Sequence, residues 1–275
     1  MQIEELISNH NFELILSLWN LYELSKKPHS YQSQIVETIH FLEKQNPRFV
    51  SEHGHLGRTE LTKYIAENFL GYEDVKSNQF LNTVTELEIQ LIGGRDLPKG
   101  YVYPKSMFDL VTILQSSIGY IEAITCKNQS IIQSTIGHDI KLNQDLVAVI
   151  NKSFLMTYLP YYLPDNEKLS KVSRKVFLEL CLSKINDIFD YCPSIAIDLE
   201  LFKLLYKNKA AKVKQSDTVD IIHAKTGLAY CNFFVSNDGH LLNNIKIVKK
   251  RLPNVETAEP FRSLDDLFNH LNIIC

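Results

Sequence analysis

Four carboxylates have the type and position that metal-dependent phosphate chemistry uses. Asp217 and Asp220 lie three residues apart at the start of a predicted helix, and Asp238 lies just past a short apolar strand. Glu23 lies one turn into a helix that directly follows another strand. Carboxylates that meet at one edge of a sheet repel each other unless they are protonated or bind a hard cation such as Mg²⁺ or Mn²⁺. If these side chains converge, they therefore imply a metal site.

Each of these residues also has an ordinary structural explanation. A carboxylate in the first turn of a helix, such as Asp217, favours the helix dipole by ~0.3 to 1 kcal/mol. Asp238 could belong to a turn, and Glu23 has the place of a polar residue on an amphipathic helix. The metal hypothesis rests on the combination rather than on any single residue.

The elements that must position these residues alternate between helix and strand near the C-terminus. We predict a helix over 217–230, a strand over 232–236, a helix over 239–247, a short strand near Val255 and a helix over 263–271. Such alternation is typical of an α/β fold in which helices flank a parallel sheet. Ligands of such sheets gather at the carboxyl ends of the strands, which is where Asp238 lies.

The rest of the chain divides into an N-terminal part and a helical middle. We predict a strand over 12–18, with Ser17 as the cap of a following helix over 19–27, and a second helix over 31–45. Residues 56–210 have mainly helical periodicity, with long helices over 168–191 and 195–209. We interpret them as a helical insertion or cap between an N-terminal part, 1–55, and a C-terminal part, 211–275, of one domain.

Three short segments together resemble the PIN-domain ribonucleases, a family that includes bacterial toxin endoribonucleases. Leu16-Ser17-Leu18-Trp19-Asn20-Leu21-Tyr22-Glu23-Leu24 is similar to the segment that carries the second acid of the family. Asp220-Ile221-Ile222-His223-Ala224 is similar to the helix that carries the third acid, and Phe234-Val235-Ser236-Asn237-Asp238 is similar to the turn that carries the fourth. The resemblance covers roughly residues 10–45 and 213–272 and implies a PIN-like fold.

The resemblance also implies an activity. It predicts an Mg²⁺- or Mn²⁺-dependent endoribonuclease that leaves 5′-phosphate and 3′-hydroxyl ends, with Glu23, Asp220 and Asp238 as metal ligands. Asp217 would position the attacking water, so that all four carboxylates are catalytic residues. RNA is the expected partner, together with a protein inhibitor or antitoxin if the chain is toxin-like.

One part of the family pattern has no counterpart, because nothing before Glu13 matches its first acidic strand. Either that strand lies upstream of Met1 or this copy is incomplete. An incomplete set of carboxylates would favour an alternative function, that of a binding or regulatory protein acting through its helical middle. A third alternative is an all-helical scaffold with residues 217–272 as a terminal module.

Two further residues are weaker candidates. Glu60 could join the carboxylates as another acid, although a charge at a helix start explains it as well. His223 shares a helix face with Asp220, and a buried histidine bonded to a carboxylate or the backbone is favoured over a general base.

Composition restricts the possible partners. A net charge of -3 and a pI near 6.3 in 275 residues argue against a protein that coats nucleic acid through bulk charge. The local candidate for such a contact is the run of Lys203, Lys207, Lys209, Lys212 and Lys214, which a solvated helix face explains equally well. Because the sequence has neither an apolar run of ~20 residues nor a secretory signal pattern, we predict a cytoplasmic protein without a membrane partner.

Overall fold

Helices and short strands make up most of the described chain. The computed structural model describes residues 2–92, 99–119, 121–122, 126, 144–207 and 214–271. Within them, helices α1 to α13 span Gln2–His10, Leu18–Ser25, Gln32–Lys44, His53–Phe69, Val84–Ile92, Met107–Ser116, Gln144–Tyr158, Lys171–Ser183, Ile185–Tyr191, Pro193–Lys207, Gln215–Tyr230, Gly239–Arg251 and Leu264–His270. Strands β1 to β5 span Ile15–Leu16, Arg48–Val50, Phe80–Leu81, Phe233–Val235 and Glu259–Phe261. The chain is thus mixed α/β and mainly helical, with small sheets.

The contacts divide the chain into two units. Unit 1 consists of Met1–Glu52, Asn78–Lys127 and Ser263–Cys275, and unit 2 consists of His53–Ser77 and Asn128–Arg262. The predicted helical segment 56–210 therefore contributes residues to both units. Glu23 belongs to unit 1, whereas Asp217, Asp220 and Asp238 belong to unit 2.

Unit 1 contains a small mixed sheet covered by helices. Strand β1 pairs parallel with β2, and β2 pairs antiparallel with β3. The side chain of Ser17 accepts a hydrogen bond from the Asn20 backbone at 3.3 Å, and the Asn20 side chain accepts one from the Ser17 backbone at 2.7 Å. The predicted cap is confirmed. Because Ser17 already begins the helix, β1 is only two residues long rather than the seven predicted.

Unit 2 contains the alternating C-terminal segment. Helices α10, α11 and α12 share a core that includes Ile197, Ala224, Ile245 and Val248, all without measurable exposure. Strands β4 and β5 pair in parallel, as the alternation of elements predicts. The second strand begins at Glu259 rather than near Val255 as predicted. Val255 lies in a turn, where its backbone N–H donates to the Leu252 carbonyl.

The predicted helix over 168–191 is wrong at its start and in its middle. Lys168 pairs with Tyr162 in an antiparallel bridge, and α8 begins only after Ser170, whose side chain accepts from the Ser173 backbone at 3.0 Å. Lys184 then separates α8 from α9, because its backbone leaves the helical region with φ -121 and ψ 29. Helical periodicity alone did not reveal either interruption.

The described part of the chain contains four of the five cysteines. Cys181 and Cys192 are buried free thiols, Cys126 is exposed, Cys231 is partly buried, and Cys275 lies outside the described part. Between residues 2 and 271, with the gaps given above, no helix is both long and apolar enough to cross a bilayer.

Candidate functional site

Helix α11 and strand β4 run in opposite directions and pack closely. Only two residues separate Tyr230, the last residue of α11, from Phe233, the first of β4. A Cβ atom added to Gly227 would lie 2.6 Å from the ring of Phe234, so the helix approaches the strand there as only glycine allows. The start of α11 therefore lies toward the carboxyl end of β4.

Asp238 caps α12 just beyond that end of β4. Its Oδ1 accepts hydrogen bonds from the backbone N–H groups of His240 at 2.7 Å and Leu241 at 2.9 Å. Both bonds use the same oxygen, which leaves Oδ2 as the atom with which Asp238 would bind a cation. Asp238 is therefore a helix-cap residue, and this role is compatible with a second one as a metal ligand.

Asp217 also caps a helix. Its Oδ2 accepts from the backbone N–H of Lys214 at 2.8 Å, at the N-terminus of α11. Asp220 lies one turn further along the same helix and is partly buried. Both aspartates thus lie on the helix that packs against β4, in the half of α11 that is farther from the link to β4.

His223 follows Asp220 by one turn and is partly buried. Burial lowers the pKa of its imidazole to about 4, so the ring is neutral near pH 7. The predicted burial is therefore confirmed in part. The preference for a buried histidine over a general base stays a prediction, because a neutral imidazole can also accept a proton.

The four predicted carboxylates are divided between the units. Glu23 is an exposed residue of α2 in unit 1, so its grouping with the aspartates of unit 2 stays a prediction. Among the residues that the structure describes, no three His, Cys, Asp or Glu side chains form a group that could hold a metal ion.

The predicted lysine run offers little free positive charge where the structure describes it. Lys203 lies 2.8 Å from Glu200, which also contacts Arg251 at 3.2 Å. Lys214 is exposed, whereas the Lys207 side chain, Lys209 and Lys212 lie outside the described part. This run therefore supports no particular contact with nucleic acid.

Glu60 has a structural role that neither interpretation of the sequence anticipated. It is buried within α4, and its carboxylate accepts from the Ser194 hydroxyl at 2.7 Å, from the backbone N–H groups of Ser194 and Ile195, and from the Tyr230 hydroxyl. Burial raises the pKa of Glu60, while the bonds from Tyr230 and Ser194 oppose that rise. Ten residues of helix, roughly 15 Å of rise, separate Tyr230 from Asp220. Glu60 thus anchors the far end of α11.

A buried network of Tyr158, Asp198 and Lys225 was missed by the sequence analysis. The Lys225 ammonium donates to Asp198 at 2.8 Å and to the Tyr158 hydroxyl at 2.6 Å, and that hydroxyl donates to Asp198 at 2.5 Å. Burial alone would lower the pKa of Lys225, but the Asp198 carboxylate outweighs it and the pKa is raised. Burial, reinforced by Asp198, also raises the pKa of the Tyr158 hydroxyl.

Two features of the sequence could have indicated this network. Lys225 interrupts an otherwise apolar stripe between Ala224 and Leu228, and buried lysines need a partner. Gly57 makes room for the Tyr158 ring, since a Cβ there would lie 2.6 Å from it. The network is closed to solvent, so it holds α7, α10 and α11 together rather than acting on a substrate.

Comparison of the chain with protein-family models, with curated proteins and with solved structures found no match.

Proposed function

We propose that the chain is a PIN-type endoribonuclease that uses Mg²⁺ or Mn²⁺ to hydrolyse phosphodiester bonds of RNA. The proposal is supported by two observations: Asp238 caps α12 just after β4, and Asp217 and Asp220 lie in the first turns of α11, the helix that packs against β4. This order of helix, strand, acid and helix, with β4 parallel to β5, agrees with what the resemblance implies.

The donor chemistry of these residues fits a hard cation that is not fully enclosed. Mg²⁺ is usually held by one or two carboxylates, with water and substrate phosphate completing its octahedron. Asp220 and Oδ2 of Asp238 would supply the two carboxylates, and the predicted part of Glu23 rests on the resemblance alone. When bound, the cation would polarise the scissile phosphate and lower the pKa of a water.

The side chains of the protein would carry out the remaining steps of the reaction. Asp217 would orient the attacking water, whose oxygen forms a new bond to phosphorus as the bond between phosphorus and the 3′ oxygen breaks. The products would carry a 5′-phosphate and a 3′-hydroxyl. A toxin-like member of the family would work alongside a protein inhibitor.

A second candidate is a binding or regulatory protein that keeps the fold without catalysis. It is favoured by the use of Asp217 and Asp238 as helix caps and by the lack of a three-ligand group among the described side chains. In that case the chain would act through its helical middle, residues 56–210, rather than through the aspartates.

Cleavage of an end-labelled single-stranded RNA in Mn²⁺ distinguishes the two candidates. We expect wild-type chain to cut it, and Asp220→Asn and Asp238→Asn to lose most of the activity. Asn at position 238 keeps a cap oxygen for α12, so a folding defect is avoided. Asp109→Asn is the matched control, because Asp109 also accepts backbone bonds at a helix start, from Lys105 and Ser106 of unit 1. Uncut RNA, or equal cleavage by all variants, would contradict the nuclease proposal.

A further inference from the structure

A hairpin between α7 and α8 holds two exposed tyrosines in a fixed position. The Leu169 backbone N–H donates to the Tyr161 carbonyl at 2.9 Å, and Tyr162 pairs with Lys168. Leu163 and Leu169 are buried and attach the hairpin to unit 2, whereas Tyr161 is 55% exposed and Tyr162 is 52% exposed. Both rings are exposed, but as successive residues of a paired segment they point to opposite faces of the hairpin, with Tyr161 on the face of Leu163 and Leu169.

An arginine covers one face of the Tyr161 ring. The guanidinium carbon of Arg174 lies 3.9 Å from the centre of that ring, and one of its nitrogens donates to the Leu159 carbonyl at 3.4 Å. The ring nevertheless remains more than half exposed. The exposed part thus belongs to the opposite face and the edge of Tyr161, where a second flat group could stack.

Three exposed lysines are close in sequence to the stacked pair. Lys168 lies on the hairpin, and Lys171 and Lys175 lie in the first turns of α8, with Lys171 on the same face as Arg174. The first turn of α8 contains no acidic residue. Cations at a helix N-terminus oppose the helix dipole, so helix stability does not account for these lysines.

The nearby acidic residues leave this surface positive. Asp165 and Glu167 lie at the tip of the hairpin, where Asp165 accepts from the Tyr72 hydroxyl at 2.8 Å. Glu179 lies two turns along α8 and contacts Lys152 at 3.8 Å. Five cations of this segment and its neighbour outnumber these three carboxylates: Lys152, Lys168, Lys171, Arg174 and Lys175.

We propose that this stacking surface, formed by Tyr161, Lys171, Arg174 and Lys175, binds single-stranded RNA. A base would stack on the open face of Tyr161, and the lysines would contact phosphates. Proteins that bind single strands without sequence preference combine aromatic platforms with positive charge in this way. The inference rests on the proposed function, because it names the surface that holds the nuclease substrate.

The test is fluorescence anisotropy with a labelled oligouridylate of about 12 nucleotides, a length in the range of such binding sites. EDTA is present throughout, so that no cleavage occurs. We expect Tyr161→Leu to weaken binding roughly 5- to 100-fold, since each stacked base contributes at that level. Tyr161→Phe keeps the ring and should bind like wild type.

The lysines are tested through salt dependence. Replacing both Lys171→Gln and Lys175→Gln should weaken binding and flatten the plot of log affinity against log salt by about 0.7 per lost phosphate contact. Lys184→Gln, an exposed lysine beyond the end of α8, is the matched control and should leave binding unchanged. Thermal melts of each variant identify any that fail to fold.

The outcomes separate this inference from the proposed function. Binding that depends on Tyr161 without any cleavage in Mn²⁺ would support the surface and contradict the nuclease. Cleavage with no effect of Tyr161→Leu or the lysine changes on binding would overturn the surface alone. A dimer in light scattering that Tyr161→Leu dissociates, with no oligonucleotide binding, would overturn it in favour of a second copy of the chain as the occupant.

Discussion

The ammonium nitrogen of Lys225 lies 2.8 Å from a carboxylate oxygen of Asp198, and the two side chains are 1% and 6% exposed. The Tyr158 hydroxyl bonds to both groups, which compensates part of the cost of removing the charges from water. The pair joins α10 to α11, the helix that carries Asp217 and Asp220. The position of the candidate acids therefore depends on a closed network some turns away.

Removing one partner of this pair should be costly. Lys225→Met leaves the Asp198 charge buried without a cation, and we expect the free energy of unfolding in urea to fall by about 3 to 5 kcal/mol. Adding Asp198→Leu should recover part of that loss, because no uncompensated charge remains. Lys44→Met, which breaks an exposed pair with Glu4, is the control and should have no measurable effect. A double variant less stable than Lys225→Met would contradict this explanation.

The close approach of α11 to β4 provides a second prediction. Gly227→Ala places a methyl group 2.6 Å from the Phe234 ring, and we expect a loss of about 1 to 3 kcal/mol in urea unfolding as the helix and strand move apart. Gly239→Ala, at the start of α12, meets no atom within 4 Å and is the matched control. Equal stability of Gly227→Ala and wild type would mean that the helix and strand do not pack as described.

The stability of unit 2 should depend on pH through His223. Burial lowers the pKa of this residue in the folded chain from 6.5 to about 4, so between these values only the unfolded chain takes up the proton. Stability is therefore retained above pH 6.5 and decreases as the pH falls toward 4, by about 2 kcal/mol between pH 7 and pH 5.

His223→Gln removes the titrating group, and its urea midpoints at pH 7 and pH 5 should differ less than those of wild type. His240→Gln, which changes an exposed histidine, should keep the wild-type difference. If His223→Gln had the same pH dependence as wild type, another group would be responsible.

Local signals explain which elements the sequence predicted well. Ser263 caps α13 by accepting from the Asp266 backbone at 3.1 Å, as the spacing of the two residues predicts. The cap at Ser17 and the strand at Phe233 were predicted for the same reason, since a cap or a short apolar run can be recognised from a few neighbouring residues. The general α/β class followed from the alternation of such elements.

Contacts between residues far apart in the sequence could not be predicted in this way. Tyr158 bonds to residues 40 and 67 positions later in the chain, and Glu60 bonds to Ser194 across 134 positions and to Tyr230 across 170. Periodicity describes which face of a helix is apolar, but it does not say which helix lies against that face. The hairpin before α8 was missed because backbone pairing between Tyr162 and Lys168 leaves no periodic pattern.

In the proposed function Asp220 and Asp238 share one cation, and calorimetric titration with Mn²⁺ tests this sharing most directly. We expect wild type to bind Mn²⁺, both Asp220→Asn and Asp238→Asn to abolish binding, and Asp109→Asn to bind like wild type. Retained binding in either aspartate variant, or no binding by a folded wild-type chain, would contradict a shared site and favour a binding protein that acts through its helical middle.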